Sequence, residues 1–330
     1  MARLSILALS LLSLASSTLA WPIKTAETEL RALPLVIWHG LGDEYNSQGL
    51  REIAQLADEV NPGTYVYMIR LGSSSSEDRQ ASFLGNVSEQ IDDACKQLRH
   101  DPIVSTAPQI NALGFSQGGQ FLRGYIERCN DPPVRNLVTF GSQHNGISKF
   151  QACKTTGDWI CRGAEALLRF GRWSSMVQSR LVPAQYFRDP AELEEYIENS
   201  NFLADINNER PFKNQQYKEN LKRLEKFAMF MFEDDTMVVP KESAHFAEVN
   251  ATSGEVTPLK ERQIYQDDWL GLKALDKQAR LDFVTIPGAH MELTERMLVQ
   301  TFQKYFAPVE IEVDMDGKGW HDALVVQNGS

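Results

Sequence analysis

Ser116 stands in the run LGFSQGGQF (113–121), with Gly114 two residues before it and Gly118 two residues after. A serine hydroxyl is a weak nucleophile until a base takes its proton. Glycines at minus two and plus two are what such a serine needs on a sharply strained turn, where neighbouring side chains would collide. The chemistry available to it is acyl transfer: attack on an acyl carbonyl, then release of the acyl group to water. That chemistry asks for three further parts, namely a histidine as base, a carboxylate to orient it, and two backbone N–H groups for the oxyanion.

The elements around Ser116 are those that would hold it. QINALGF (109–115) reads as a strand, and QGGQFLRGYIERCN reads as a helix with Phe121, Leu122, Tyr125, Ile126 and Cys129 on one face. G-x-S-x-G between a strand and a helix is the nucleophile elbow of α/β hydrolases. The helix N-terminus also sets positive dipole beneath the serine. Other strand-like runs are LPLVIWHGLGD (33–43), TYVYMIRLG (64–72), NLVTFGS (136–142), KFAMFMF (226–232) and LDFVTIP (281–287), and NVSEQIDDACKQLRHD (86–101) has helical apolar spacing. This alternation predicts a mostly parallel central sheet flanked by helices, and together with the elbow at Ser116 it points to an α/β-hydrolase fold. It breaks between about 145 and 225, where GAEALLRF, AELEEYIENSNFLADINNER and NLKRLEKF are helical in character. A stretch that long exceeds any simple connection and reads as a helical insertion within a single domain, 21–330. The tail, 310–330, reads as loosely ordered and has no assigned role.

In this fold the chain order is serine, acid, histidine. Of the six histidines, His245, His290 and His321 come late enough. His245, in KESAHFAEVN, reads as a surface histidine, and His321 lies in the tail. His290 directly follows a strand, with Gly288 supplying the turn, and is the expected base. The acid should follow KFAMFMF, where Glu233, Asp234 and Asp235 stand together. Adjacent residues of an extended chain face opposite sides, so one of them faces the histidine. Asp235, which leads into TMVVP, is expected, with Asp234 in reserve. The oxyanion donors are expected to be the backbone N–H groups of Gln117, next to the nucleophile, and of Leu41, between two glycines in WHGLGD. His39 precedes the acid in the chain and reads as a structural hydrogen-bonding residue.

The chain has 330 residues and a formal net charge of −11. An acidic balance argues against nucleic acid or an anionic membrane as the main partner. MARLSILALSLLSLASSTLA reads as a signal peptide, residues 1–20, cleaved after Ala20 rather than kept as an anchor, and no later stretch reaches the ~18 apolar residues that spanning needs. The mature chain is expected on the secretory route. Four cysteines allow three pairings, of which Cys95–Cys129 and Cys153–Cys161 are preferred. The first would clamp two helices flanking the strand before Ser116, and the second would close a short local loop. No C-x-x-C and no nearby paired histidine point to a metal, and DMDGKGWHD (314–322) lacks the spacing and closing glutamate of a calcium loop. Asn86, Asn250 and Asn328 each begin an N-glycosylation triplet.

LPLVIWHGLGD, NALGFSQGGQFLR, NLVTFGSQHNG, FLADINNER, GLKALD and GAHMEL occur in that order over about residues 33–306. In this combination the chain resembles the palmitoyl-protein thioesterase family of lysosomal depalmitoylating enzymes. The resemblance implies a triad of Ser116, Asp235 and His290, oxyanion donors at Leu41 and Gln117, and the same two cysteine pairings. It implies hydrolysis of long-chain fatty acyl thioesters on cysteines of S-palmitoylated proteins or peptides, without metal or cofactor, in the lysosome or vacuole; secretion is the alternative. The loop after Asp43, EYNSQG, lacks cysteines that relatives carry there, and the tail runs past the family's usual end. The 145–225 insertion is expected to form the acyl-binding subdomain, with Trp159, Leu167, Leu168, Phe170, Trp173, Met176 and Val177 as candidate lining, most of them also serving as its own core. The rival readings are an oxygen-ester lipase or carboxylesterase on the same fold, which the triad does not distinguish, and a non-catalytic lipid-binding relative, which a complete triad disfavours.

Overall fold

The computed structural model describes residues 27–150, 162–163 and 166–313. The signal-peptide reading, the Cys153–Cys161 pair, Trp159 and Asn328 lie outside the described residues. Among the described residues ten strands follow in chain order: β1 (Glu27–Arg31), β2 (Leu35–Trp38), β3 (Val66–Met68), β4 (Ile110–Phe115), β5 (Val134–Phe140), β6 (Lys226–Phe232), β7 (Glu248–Val249), β8 (Val256–Thr257), β9 (Leu281–Ile286) and β10 (Val309–Val313). Six of them form one sheet in the order β3-β2-β4-β5-β6-β9, every pair parallel.

The sheet is covered on both faces, which is why its strands read as continuous apolar runs rather than as alternating ones. Successive residues still divide between the faces. Val36, Trp38, Ile110, Ala112 and Leu137 join the larger core cluster. Leu35, Ile37, Leu113, Val138 and Phe230 join the one on the opposite face. Helices α3 (Val87–His100) and α4 (Gln117–Arg128) cover the first face through Ile91, Leu98, Phe121 and Tyr125. Helix α1 (Gln48–Val60) and the helix Glu295–Tyr305 cover the second through Leu50, Ala57, Leu298 and Phe302. Helix α2 (Ser75–Phe83) follows β3 and is N-capped by Ser74, whose side chain accepts from the Glu77 N–H.

Cys95 and Cys129 form a disulfide with Cα atoms 6.3 Å apart. It joins α3 to the residue that ends α4, across the helices that flank β4. Asn86 caps α3 through its Oδ1, which accepts from the Ser88 N–H. Asn250 is exposed in the turn between β7 and β8.

One expectation changes. The segment from 310 is not loose from its start: β10 pairs antiparallel with β1, Glu27 opposite Val313, in a separate two-stranded ribbon. The stretch AELEEYIENSNFLADINNER, helical in character, forms two short helices, Leu193–Asn199 and Leu203–Ile206. The break falls at Ser200, whose hydroxyl bonds the Gln185 carbonyl and accepts from the Ala204 N–H, a local alternative to helical pairing. Within the insertion's described part, Tyr186, Phe187, Tyr196, Phe202 and Leu203 belong to the larger cluster, while Val177, Leu181 and Ala184 form a small cluster with Phe83.

The disulfide closes a loop of sequence separation 34. Replacing Cys95 and Cys129 together by serine should lower unfolding free energy by about 2–4 kcal/mol. Urea unfolding under non-reducing conditions checks this, with wild type in reductant as the matched comparison.

Candidate active site

In a parallel sheet every strand ends on the same edge, so residues just after β2, β4, β6 and β9 are neighbours in space. Ser116 follows β4 with φ 52° and ψ −124°, a left-handed backbone that only a tightly determined turn holds. Its N–H donates to the Phe140 carbonyl at 2.8 Å, which ties the turn to β5. The flanking glycines serve contact distance. A Cβ on Gly114 would stand 2.1 Å from Gly119 Cα, and one on Gly118 would stand 2.2 Å from the Trp38 carbonyl oxygen.

His290 comes from the loop after β9. Its Nε2 lies 3.1 Å from Ser116 Oγ, and its Nδ1 lies 2.7 Å from Asp235 Oδ2. Asp235, in the turn after β6, is buried, and its Oδ1 accepts from the N–H groups of Met237 and Val238 at 2.8 and 2.9 Å. One carboxylate oxygen is therefore held by backbone while the other faces the imidazole. Asp234 is exposed, and its N–H donates to the Gly288 carbonyl at 3.0 Å, joining the acid's turn to the histidine's loop. Glu233 is exposed too. The structure thus brings together Ser116, His290 and Asp235 and leaves Asp234 aside.

Gln117 opens α4 beside the serine, and Leu41 lies in the loop after β2. That loop reaches Ser116 closely, since a Cβ on Gly40 would stand 3.1 Å from the Ser116 Cβ. His39 is buried and hydrogen-bonds the Gly40 carbonyl at 2.9 Å, in keeping with its structural reading. His245 is not the surface residue expected. It is half-buried, its Nε2 lies 3.0 Å from the Met229 carbonyl, and burial lowers its pKa. The short 3-10 turn Lys241–His245 rolls the ring inward against Phe283.

A small apolar cluster of Phe83, Val177, Leu181 and Ala184 adjoins the site, with Leu41, Leu167 and Leu168 packed against it. Of the seven residues expected to line an acyl groove, Leu167, Leu168 and Val177 belong to this cluster. Trp173 does not, because its ring packs on Phe187 and Tyr196 at 5.7 and 6.2 Å. Phe170 is 64% exposed, and Met176 is half-buried.

Nothing in the sequence announces α2. Asp78 and Ser82 are both fully buried there and bond the loop that carries Leu41. SSEDRQASF carries no apolar stripe, so helical periodicity could not reveal it. Among the described residues no group of three or more His, Cys, Asp and Glu is placed to hold a metal ion, and no helix is long and apolar enough to cross a membrane.

An all-parallel sheet with a strained serine after its central strand, and an acid and a histidine on the loops after later ones, defines an α/β hydrolase. The chain belongs to the palmitoyl protein thioesterase family, whose model matches residues 34–290. It is 39% identical over 290 residues to palmitoyl-protein thioesterase 1 of Caenorhabditis elegans, covering 86% of this chain and 96% of that one. It is 26% identical over 262 residues to lysosomal thioesterase PPT2-B of Xenopus laevis, covering 77% of this chain and 85% of that one. Among solved structures, a lipase-esterase related protein from Clostridium acetobutylicum aligns with a TM-score of 0.41 at 11% identity, over 85% of this chain and 99% of that one.

The elbow's tolerance can be measured against a glycine elsewhere. Gly118→Ala drives a methyl into backbone that has no room and should cost about 3 kcal/mol or more. Gly49→Ala in α1 meets nothing within 4 Å and should stabilise by about 0.5 kcal/mol. Chemical denaturation of the two variants beside wild type reads both.

Proposed function

We propose that the protein is a thioesterase that removes long-chain fatty acyl groups, palmitoyl among them, from S-acylated cysteines of proteins or peptides. The observation that carries this reading is the continuous chain Ser116 Oγ–His290 Nε2, His290 Nδ1–Asp235 Oδ2, at 3.1 and 2.7 Å, in a member of this family.

In this mechanism His290 takes the Ser116 proton as Oγ attacks the thioester carbonyl. Asp235 keeps Nδ1 protonated, so that Nε2 is the free base, and then stabilises the imidazolium. The N–H groups of Leu41 and Gln117 receive the oxyanion. The tetrahedral intermediate collapses with loss of a thiolate, a good leaving group because a cysteine thiol ionises near pKa ~8.5. His290 returns its proton to the departing sulfur. Water, deprotonated by the same imidazole, attacks the acyl-Ser116 ester, frees the fatty acid and restores the serine. The acyl chain lies along the cluster of Phe83, Val177 and Leu181, next to Leu41; the 145–225 insertion is then the acyl-binding part of the domain. Work in the lysosome or vacuole is supported by the relative named as a lysosomal thioesterase and by the N-terminal signal-peptide reading.

The purified protein should hydrolyse a palmitoyl thioester faster than the matched oxygen ester, and a preference for triacylglycerol would overturn the substrate assignment. Ser116→Ala should lower kcat on the order of 10⁴–10⁶-fold. The two neighbouring aspartates give a sharper test. Asp235→Asn should lower kcat about 10⁴-fold by allowing the wrong histidine tautomer, while Asp234→Asn, at an exposed position, should stay within about threefold of wild type. Equal losses at the two positions would remove Asp235 from the triad.

A further inference from the structure

The two oxyanion donors of the proposed mechanism sit on unlike supports. Gln117 opens a helix and is buried. Leu41 lies in a loop between two glycines, and such a backbone has little stiffness of its own. An oxyanion hole works only when its donors are fixed before charge develops. What fixes this loop is α2. Ser82 Oγ accepts from the Gly42 N–H at 2.8 Å, Arg79 Nε donates to the Gly42 carbonyl at 3.0 Å, and Asp78 Oδ2 accepts from the Tyr45 N–H at 2.7 Å.

Asp78 is the centre of this grip. Its Oδ1 accepts from the Leu71 N–H at 2.5 Å, which fixes the carboxylate to the backbone after β3. Its Oδ2 also lies 2.8 Å from His39 Nε2, and both side chains are closed to solvent. That contact is an ion pair rather than an aligned hydrogen bond. His39 Nδ1 faces the Gly40 carbonyl at 2.9 Å. Both ring nitrogens thus face acceptors, which only the protonated ring serves together. Burial alone would discharge the ring, yet its pKa is raised, because Asp78 and the Gly40 carbonyl outweigh the desolvation.

The same helix reaches the other donor. The Ser82 carbonyl accepts from Gln117 Nε2 at 3.0 Å, and Gln117 Oε1 accepts from the Tyr186 hydroxyl at 3.0 Å. α2 is therefore bonded to both halves of the hole.

We infer that Asp78 and His39 are positioning residues for the oxyanion hole: their buried ion pair anchors the Gly40–Gly42 backbone to α2 and holds the Leu41 N–H beside that of Gln117, facing the Ser116 oxygen. This rests on the acyl-transfer reading given above. Neither residue touches the reacting atoms. Their effect passes through Leu41, so their loss lowers turnover rather than substrate binding.

The test uses the full-length protein as wild type, Asp78→Asn, His39→Ala and His39→Gln, each checked for a cooperative melt. Steady-state kinetics are taken on a palmitoyl thioester and on a p-nitrophenyl ester. Asp78→Asn and His39→Ala should lower kcat about 10- to 100-fold on either substrate, with KM within about threefold, somewhat less than deletion of a donor itself. His39→Gln, whose amide can take the place of Nε2 against Asp78, should recover most of the loss. Hydrogen exchange read by mass spectrometry supplies a measure independent of turnover. Peptides covering 39–45 should exchange about tenfold faster in Asp78→Asn, with those covering β4 unchanged. A folded Asp78→Asn with wild-type kcat, a loss confined to KM, or unchanged exchange at 39–45 overturns the inference. If wild type cleaves the oxygen ester and not the thioester, the depalmitoylating reading fails, and the kcat ratios on the ester still test the ion pair. If it cleaves neither, exchange decides. Should Asp78→Asn fail to fold, Ser82→Ala removes only the hydroxyl that accepts from Gly42 and should lower kcat about 3- to 10-fold; an unchanged kcat there overturns the inference as well.

Discussion

A serine backbone held at φ 52° and ψ −124° is the constraint on which the rest of this structure depends. Such a conformation costs about 1–3 kcal/mol and persists only where its surroundings permit no other. Here the surroundings are the middle of the sheet. β4 lies between β2 and β5, all six of its residues are buried, and α4 leaves immediately after Ser116. The turn cannot relax without moving a core strand or a helix packed on Trp38 and Phe202 through Phe121. Local strain is thus held by non-local packing, and Ser116 Oγ is presented at one edge of a rigid layer.

Parallel pairing then does the work of assembly. Ser116 and His290 are 174 residues apart in sequence, yet they meet because β4 and β9 end on the same side of the sheet. Asp235 joins them from β6, the strand beside β9. The turn after β6 is bonded to the loop after β9 through Asp234 N–H and the Gly288 carbonyl, which ties the segments that carry Asp235 and His290 together. The loop after β2, which carries Leu41, is tied instead to α2, through Ser82, Arg79 and Asp78.

How much of this was legible in the sequence depends on the kind of interaction. The elbow was readable because steric demand at Ser116 limits its neighbours to glycine. KFAMFMF and LDFVTIP were readable because strands buried on both faces leave unbroken apolar runs. Alternation along the chain says only that one of the neighbouring acids faces the histidine, and the run into TMVVP singles out Asp235; in the structure Asp235 is buried and Asp234 exposed. Polar anchoring was not readable. α2 buries Asp78 and Ser82 rather than an apolar stripe, so its sequence carries no period. The inward turn of His245 depends on a short 3-10 segment, and the break at Ser200 depends on a hydroxyl finding a carbonyl in another segment. The β1–β10 ribbon pairs residues from opposite ends of the described chain, a contact that no local pattern announces.

The way the insertion is seated has an energetic consequence of its own. Its described part shares the main core, with Tyr186, Phe187, Tyr196 and Phe202 all but closed to water. Each ring exposed by lifting that segment would cost about 1.5–3 kcal/mol, and four of them together rival the ~5–15 kcal/mol that holds a whole domain folded. A roof attached in this way does not swing as a hinged cover. In the proposed mechanism an acyl chain would be admitted by side chains yielding along the small cluster at Leu41, Phe83 and Leu181, and the width of that seam would then set which chains reach the serine.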